Sequence, residues 1–299
     1  MEAYTDFALV YDVFMDETPY EEWCDYIVEL LDRYGSLTEE AVDGAITNAQ
    51  IRENLTQERR TVLDLGCGTG TLTELLARRG YEMIGVDNAP EMLQIAMEKR
   101  ERSGLNILYL LQDMREFELY GTVGAVISVC DSLNYLLEEE DILQTFRLVN
   151  NYLYPQGLFI FDFNTVYKYE VVIGDTTIAE NREECSFIWE NYYHEEEEIN
   201  EYDLTIFVKE GVEPENARDA GGESERSVDG SWFRRFRETH YQRGYRLGQM
   251  LALVEQAGLQ FIEAIDADTH GAVTDESERI YIVARKGEAA EANSRVCVE

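Results

Sequence analysis

Residues 61–71 read Thr61-Val62-Leu63-Asp64-Leu65-Gly66-Cys67-Gly68-Thr69-Gly70-Thr71, an apolar, β-branched run followed by a glycine at every second position. The run up to Asp64 predicts a buried β-strand, and the leucines behind the glycines, Leu72, Leu75 and Leu76, have helical spacing. A strand that turns directly into a helix needs residues that accept unusual backbone angles and leave room for a ligand, and glycine does both. Because the first N–H groups of a helix have no backbone partner, this pattern predicts a nucleotide-type cleft at the strand's carboxyl end.

The spacing of these glycines distinguishes among the nucleotide-binding motifs that such a turn could form. A dinucleotide-binding fingerprint has the form G-x-G-x-x-G, whereas here Gly66, Gly68 and Gly70 alternate and the position required for the last glycine is Thr71. A phosphate-binding P-loop ends in Gly-Lys-Ser/Thr, and this stretch contains no lysine. The pattern therefore disfavours a nicotinamide dehydrogenase and a P-loop nucleotidase.

Two further strands end in acids. Residues 81–87 form an apolar run that closes on Asp87, 17 residues beyond Gly70, where a carboxylate can accept both hydroxyls of a ribose. A helix then opens at residues 88–92, with Pro90 in its first turn. Residues 108–111 predict a third strand, which is followed by Gln112-Asp113-Met114.

The D-x-G-x-G-x-G pattern together with Asp87 resembles motif I of the class I S-adenosylmethionine (SAM) dependent methyltransferases. That resemblance implies that the glycines admit the methionine part of SAM, that Asp87 holds the ribose, and that Asp113 with Met114 frames the adenine. Residues 7–12, Phe-Ala-Leu-Val-Tyr-Asp, are similar to the amino-terminal lid of small-molecule members, in which a tyrosine closes over SAM. The predicted cofactor-binding residues are Tyr11, Asp64, Gly66, Cys67, Gly68, Gly70, Asp87, Asn88, Met92, Asp113, Met114 and Cys130.

The order of predicted elements indicates an α/β protein. Helices and strands alternate through five units, and a final helix precedes two strands, as in a Rossmann-like class I methyltransferase sheet that is mostly parallel with its last strand antiparallel. Short amphipathic segments between strand five and that helix predict an inserted small antiparallel β subdomain. We expect an N-terminal helical lid and connector (1–60), a SAM-binding domain (61–165 and 244–286), an inserted β lid that sets substrate choice (166–243), and a disordered tail (287–299).

The amino-acid composition disfavours several classes of binding partner. The chain has 299 residues, with 61 acids against 25 lysines and arginines, and its formal net charge of −36 disfavours nucleic-acid substrates. Its five cysteines form no C-x-x-C pair, which suits a reducing compartment and argues against a zinc site. The sequence shows no signal peptide and no 18-residue apolar run, so we expect an acidic cytoplasmic protein without a membrane partner. Its oligomeric state is not predicted.

The function that follows is methyl transfer from SAM to a nitrogen or oxygen of a small molecule, with no metal. Methyl transfer requires alignment of the nucleophile and exclusion of water, and a base only if the nucleophile still carries its proton. The candidate proton acceptors are Asp131, which follows the fourth strand, and His240 in the insert. Two alternatives stay open: a non-catalytic SAM-binding regulator or scaffold, and a cation-dependent O-methyltransferase with Asp131, Asp162 and Asn164 as oxygen ligands.

Overall fold

The structure is a computed structural model that describes Tyr4 and residues 7–35, 58–210 and 232–287. The expected connector helix that starts at Ser36, most of the acidic loop at 209–231 and nearly all of the C-terminal tail lie outside the described residues.

Eleven strands and six α-helices make up the described chain. The strands are β1 (Thr61–Leu65), β2 (Glu82–Asp87), β3 (Ile107–Leu111), β4 (Val123–Ser128), β5 (Leu153–Asn164), β6 (Thr177–Asn181), β7 (Cys185–His194), β8 (Ile199–Glu210), β9 (Trp232–Arg243), β10 (Leu259–Asp266) and β11 (Arg279–Lys286). The helices are α1 (Ala8–Phe14), α2 (Tyr20–Tyr34), α3 (Thr71–Arg78), α4 (Pro90–Ser103), α5 (Glu139–Tyr152) and α6 (Leu247–Gln256). A 3₁₀-helix covers Ser132–Tyr135, and a π-helix covers Lys168–Ile173.

Seven strands form the main sheet in the order β10-β11-β5-β4-β1-β2-β3. Strands β1 to β5 pair in parallel, and β11 is antiparallel to both of its neighbours, which confirms the predicted class I arrangement. The strand order reverses beside β1, which lies between β2 and β4. Because ligands of open α/β sheets bind outside the carboxyl ends of the strands at such a point, the fold directs attention to the turn after β1.

Helices cover both faces of this sheet, as expected for parallel strands buried on two sides. Successive residues of β4 enter opposite cores: Val126 packs in the cluster that contains Phe146 of α5, whereas Ile127 packs in the cluster that contains Ile27 of α2. Every residue of β4 is buried. The result is a rigid platform from which the loops at the carboxyl ends project. None of the described helices is both long and apolar enough to cross a membrane.

The second sheet lies in the chain between β5 and α6 and has four antiparallel strands in the order β6-β7-β8-β9. The amphipathic segments at 186–193, 202–208 and 232–241 predict three of them, whereas β6, whose residues are mostly exposed, gives no such signal. One face of this inserted sheet is apolar, and Phe187, Leu204 and Ile206 pack there against Phe7 and Val10 from the start of the chain. The inserted sheet and the N-terminal helix α1 therefore share a core.

Candidate active site

The turn between β1 and α3 has three glycines with positive φ angles, +84° at Gly66, +54° at Gly68 and +74° at Gly70. L-residues with a Cβ atom rarely adopt these angles. The three glycines differ in what a side chain would meet. A Cβ on Gly66 would lie 2.5 Å from the Ser132 hydroxyl, and one on Gly70 would overlap the Tyr109 hydroxyl. A Cβ on Gly68 would have only the Met92 methyl within 4 Å, at 3.9 Å, so the backbone here is open toward a cleft.

That cleft has a volume of about 350 Å³ and lies at the carboxyl ends of β1, β2 and β4. Eleven of the twelve predicted cofactor-binding residues line it, Gly70 being the exception. The lining residues that the sequence did not predict include Tyr4, Tyr20, Gln112, Ser132 and Tyr135. Neither Asp131 nor His240 is among the described residues that line the cleft. A proton can therefore pass from the cleft to either of these two candidate acceptors only through a neighbouring residue.

Asp87 closes β2 and is fixed by the backbone around it. One carboxylate oxygen accepts the Gly68 N–H at 2.8 Å, and the other accepts the Ala89 N–H at 2.9 Å. Burial raises the pKa of Asp87, and these two amide donors counteract that rise. The glycine turn and the second strand end are thereby joined into one rigid frame, with a carboxylate facing the cleft.

Asp113 follows the end of β3 and lines the cleft, and its carboxylate is paired with a cationic side chain. The Arg115 guanidinium donates to both Asp113 oxygens, at 2.9 Å and 2.6 Å, and holds the pKa of that carboxyl below its usual value. This fork orients Asp113 and keeps it ionised. Met114, next in the chain, lines the same part of the cleft.

The N-terminal segment, by which we mean Tyr4 and residues 7–14, crosses over the glycine turn. Tyr4 and Tyr11 line the cleft, and the Tyr11 hydroxyl lies 4.0 Å from the Cys130 sulfur. On the other side of α1, Asp12 accepts the Thr69 hydroxyl at 2.7 Å and pairs with the Lys99 ammonium at 2.6 Å. An ion pair and a hydrogen bond thus fasten α1 to the turn and to α4.

His240 is buried outside the cleft, in a chain of hydrogen-bonded polar side chains. Its Nε2 is 3.1 Å from a Glu238 oxygen, and because a carboxylate only accepts, Nε2 carries the proton and Nδ1 is the acceptor. The Tyr135 hydroxyl is 3.2 Å from that Nδ1 and also bonds the hydroxyls of Tyr4 and Tyr202, at 2.7 Å and 2.5 Å. Tyr135 lines the cleft, so it links His240 to whatever binds there.

Sequence and structure comparisons identify the kind of protein that carries this cleft. A family model for a methyltransferase domain matches residues 62–157. A protein of Geobacillus sp. (strain WCH70) that is named as a methyltransferase is 33% identical over 284 residues, which cover 95% of this chain and 100% of the relative. The chain belongs to the class I SAM-dependent methyltransferase family.

Solved structures agree with that assignment. A SAM-dependent methyltransferase from Clostridium acetobutylicum superimposes with a TM-score of 0.72 at 25% identity, covering 96% of this chain and 100% of the other. The SAM-bound amino pentose methyltransferase CalS10 from Micromonospora echinaspora has a TM-score of 0.60 at 18% identity, covering 96% and 98%, and shows the shared fold. The cofactor of this methyltransferase is SAM.

The residues in the cleft fit that cofactor. The backbone at Gly68 is open where a Cβ would intrude, and the carboxylate of Asp87 is held beside that opening by two backbone N–H groups. Tyr11 offers an aromatic ring at the edge of the cleft, and such rings attract cations like a sulfonium.

The oxygen atoms that a cation-dependent mechanism would need are engaged by protein donors. The two Asp162 oxygens accept the N–H groups of Cys130 and Asp131, at 3.0 Å and 2.9 Å. The Asn164 side-chain oxygen accepts from Lys168, and Asp131 accepts from Gln242. Within the described part of the chain, no three His, Cys, Asp or Glu side chains are grouped so as to hold a metal ion. These contacts do not favour the cation-dependent alternative.

Asn134 follows β4 at a strand's carboxyl end, a position that makes it a candidate from sequence, but its side chain has a structural role. Its amide donates to the backbone oxygens of Asn164 and Arg243, and its own oxygen accepts the Asn164 N–H. The neighbouring Tyr135 takes the place at the cleft. The sequence located this loop but did not show which side chain turns inward: residues i and i+3 of a 3₁₀ turn share one side, so Ser132 and Tyr135 line the cleft while Asn134 lies on another side.

Proposed function

We propose that this methyltransferase acts on an amine nitrogen of a small molecule. The observation that carries the proposal is the charge around the part of the cleft nearest Tyr4 and Tyr135. Hydroxyl groups line it, and Asp131, which does not line the cleft itself, directly precedes the 3₁₀-helix that bears Tyr135. Among the described lining residues, Arg115 is the one Lys or Arg, and it is paired with Asp113. Such surroundings attract an ammonium group and repel a phosphate or carboxylate.

The chemistry asked of the protein is alignment and proton removal. When bound, SAM supplies a methyl group on a positively charged sulfur. The amine must present its lone pair in line with the methyl–sulfur bond, so that a carbon–nitrogen bond forms as that bond breaks and S-adenosylhomocysteine leaves. The amine enters as an ammonium ion at neutral pH and must first lose one proton, and the methylated product sheds another or remains charged.

Two groups are placed to accept that proton. Tyr135 can take it at the cleft while it passes its own proton to His240 Nδ1, and Glu238 stabilises the imidazolium that results. Asp131 is the other candidate acceptor: it does not line the cleft and would receive the proton through a neighbouring lining residue, and burial raises the pKa of its carboxyl and makes it a stronger base than an exposed acid. An amine acceptor also agrees with the name of the amino pentose methyltransferase that shares this fold.

The test is a matched set of acceptors. Amino sugars and the parent sugars that carry a hydroxyl at the same carbon are incubated with SAM, and formation of S-adenosylhomocysteine is measured. We expect turnover with members of the amine set and none with their hydroxyl partners. Turnover confined to the hydroxyl set, or SAM binding without turnover of any amine, would contradict the proposal.

A further inference from the structure

The N-terminal segment lines the cofactor cleft, yet its anchor is in the inserted sheet. Glu238 of β9 is 2% exposed, and its two carboxylate oxygens are shared between two amides of that segment. One oxygen accepts the Tyr4 N–H at 2.9 Å, and the other accepts the Phe7 N–H at 2.9 Å. Among the described residues of the segment, no side chain caps α1. A residue 231 positions away in the chain therefore holds the start of this helix.

These bonds are of the strong kind. An ionised carboxylate that accepts backbone N–H groups in a buried place forms charge-assisted hydrogen bonds, and removing its charge weakens each of them. His240 adds a third donor to Glu238 at 3.1 Å. The arrangement fixes two points of the segment, three residues apart, relative to β9.

Tyr4 and Phe7, the two anchored residues, pack against Tyr11, which lines the cleft. The Tyr11 ring meets the Tyr4 ring edge-on at 5.9 Å and the Phe7 ring edge-on at 5.5 Å. Tyr4 and Tyr11 both line the cleft, while Phe7 packs into the apolar face of the inserted sheet. If the two amides were released, the surroundings that set the position of Tyr11 would be lost.

We infer that Glu238 is a positioning residue for SAM binding, which acts from the inserted sheet by holding Tyr4 and Phe7 and, through them, Tyr11 over the cofactor cleft. The inserted sheet then contributes to cofactor affinity and does more than choose the methyl acceptor. This differs from the division of labour expected from the sequence, in which the remainder of the chain binds SAM alone.

The first experiment compares two isosteric substitutions in the full chain by calorimetric titration with SAM. Glu238→Gln removes the charge that holds the two amides, and we expect about a tenfold loss of affinity. Glu201→Gln is the matched control, because Glu201 lies on the neighbouring strand β8 and its carboxylate bonds the half-exposed His194. The control should bind as the wild type does. Equal affinities of wild type and Glu238→Gln would overturn the inference.

A double-mutant cycle separates positioning from general destabilisation. In a Tyr11→Ala background the segment no longer presents its ring to the cofactor, so Glu238→Gln should cost less than about threefold in affinity there. An undiminished tenfold loss would mean that Glu238 does not act through Tyr11 and would overturn the inference. If Glu238→Gln does not fold, Glu238→Asp, which keeps the charge but shortens the reach, is put through the same cycle with the same expected direction.

Discussion

Asp64 is a carboxyl group that the fold buries beside the glycine turn, with 2% of its surface exposed. Burial raises its pKa to about 7, and the Thr73 hydroxyl, which donates to it at 2.6 Å, opposes part of that rise. In the unfolded chain an aspartate titrates near pH 3.9. Between these values the folded state binds more protons than the unfolded state, so the free energy of unfolding falls as the pH rises.

We therefore predict that Asp64→Asn is more stable than the wild type at pH 8 without ligand, by about 1–4 kcal/mol. The amide keeps the shape and can still bond Thr73, but it has no charge to desolvate. The advantage should shrink as the pH is lowered through 7 toward 4, where the wild-type group becomes neutral. Urea unfolding at several pH values measures this.

The exposed Asp275 provides a control, since Asp275→Asn should show no such pH-dependent difference. Affinity for SAM should move in the opposite direction to stability at Asp64, because the ligand is cationic and the carboxylate lines its cleft. An Asp64→Asn protein that is less stable at both pH 8 and pH 4 would instead assign the carboxylate a purely structural role.

At the scale of the element, the β1–α3 turn divides its glycines between two tasks. Gly70 is the residue before α3, and its lack of a Cβ leaves room for the Tyr109 ring that packs beside β2. Gly68 has open space at the same position. The repeated glycine pattern thus combines one packing requirement and one ligand requirement, although the sequence shows them as equivalent.

A pair of substitutions tests that division. We predict that Gly68→Val loses SAM affinity by at least about a hundredfold, because a branched side chain would occupy the cleft, and loses about 1–3 kcal/mol of stability from its left-handed backbone. Gly70→Ala should lose as much stability or more, yet its folded fraction should bind SAM within a few-fold of the wild type. Calorimetry and urea unfolding on both proteins give the comparison, and the reverse pattern would exchange the two assignments.

Local signals account for most of what the sequence predicted among the elements. The order of helices and strands along the chain and the turn after β1 follow from apolar runs, glycine spacing and helical period. At β5 the local signal is wrong: Tyr154-Pro155-Gln156-Gly157 predicts a turn before a strand that starts at Leu158, whereas β5 begins at Leu153. The strand continues through a bulge, with Leu153 opposite Val123 and Leu158 opposite Ala125, and Gln156 has a φ of +67°.

The contacts that complete the cleft join distant parts of the chain and have no periodic signal. Tyr4 bonds Tyr135, 131 positions away, and Glu238 bonds Phe7, 231 positions away. The local sequence around each of these residues does not distinguish it from an ordinary core or surface residue. The parts of the cleft formed by the glycine turn and the ends of β2 and β3 were therefore predictable from local motifs, and Tyr11 from the resemblance of residues 7–12, while the contributions of Tyr4, Tyr135 and Glu238 were not.

At the scale of the whole molecule, the inserted sheet is connected to the main domain at both ends of the insert and through α1. Thr165 and Tyr245, which flank residues 166–243, pair in an isolated parallel bridge, so the two ends of the insert lie side by side. A short linker can therefore replace the insert without stretching the main sheet. Phe7 and Val10 would lose the apolar face on which they pack.

We predict that a protein with residues 166–243 replaced by a short glycine-containing linker keeps the main domain but binds SAM about tenfold more weakly. The reason is the loss of Glu238, and with it the position of the N-terminal segment. Deleting residues 1–14 from the full-length chain should weaken binding by a similar factor, because the same aromatic residues leave the cleft. A protein that lacks both the insert and residues 1–14 should lose no more affinity than either single deletion, because each deletion already removes the same arrangement of the N-terminal segment over the cleft.

Urea unfolding first confirms that each protein retains a cooperative transition. Unchanged affinity after replacement of the insert would show that the main domain binds SAM alone, and additive losses would show that the insert and the N-terminal segment contact the cofactor independently.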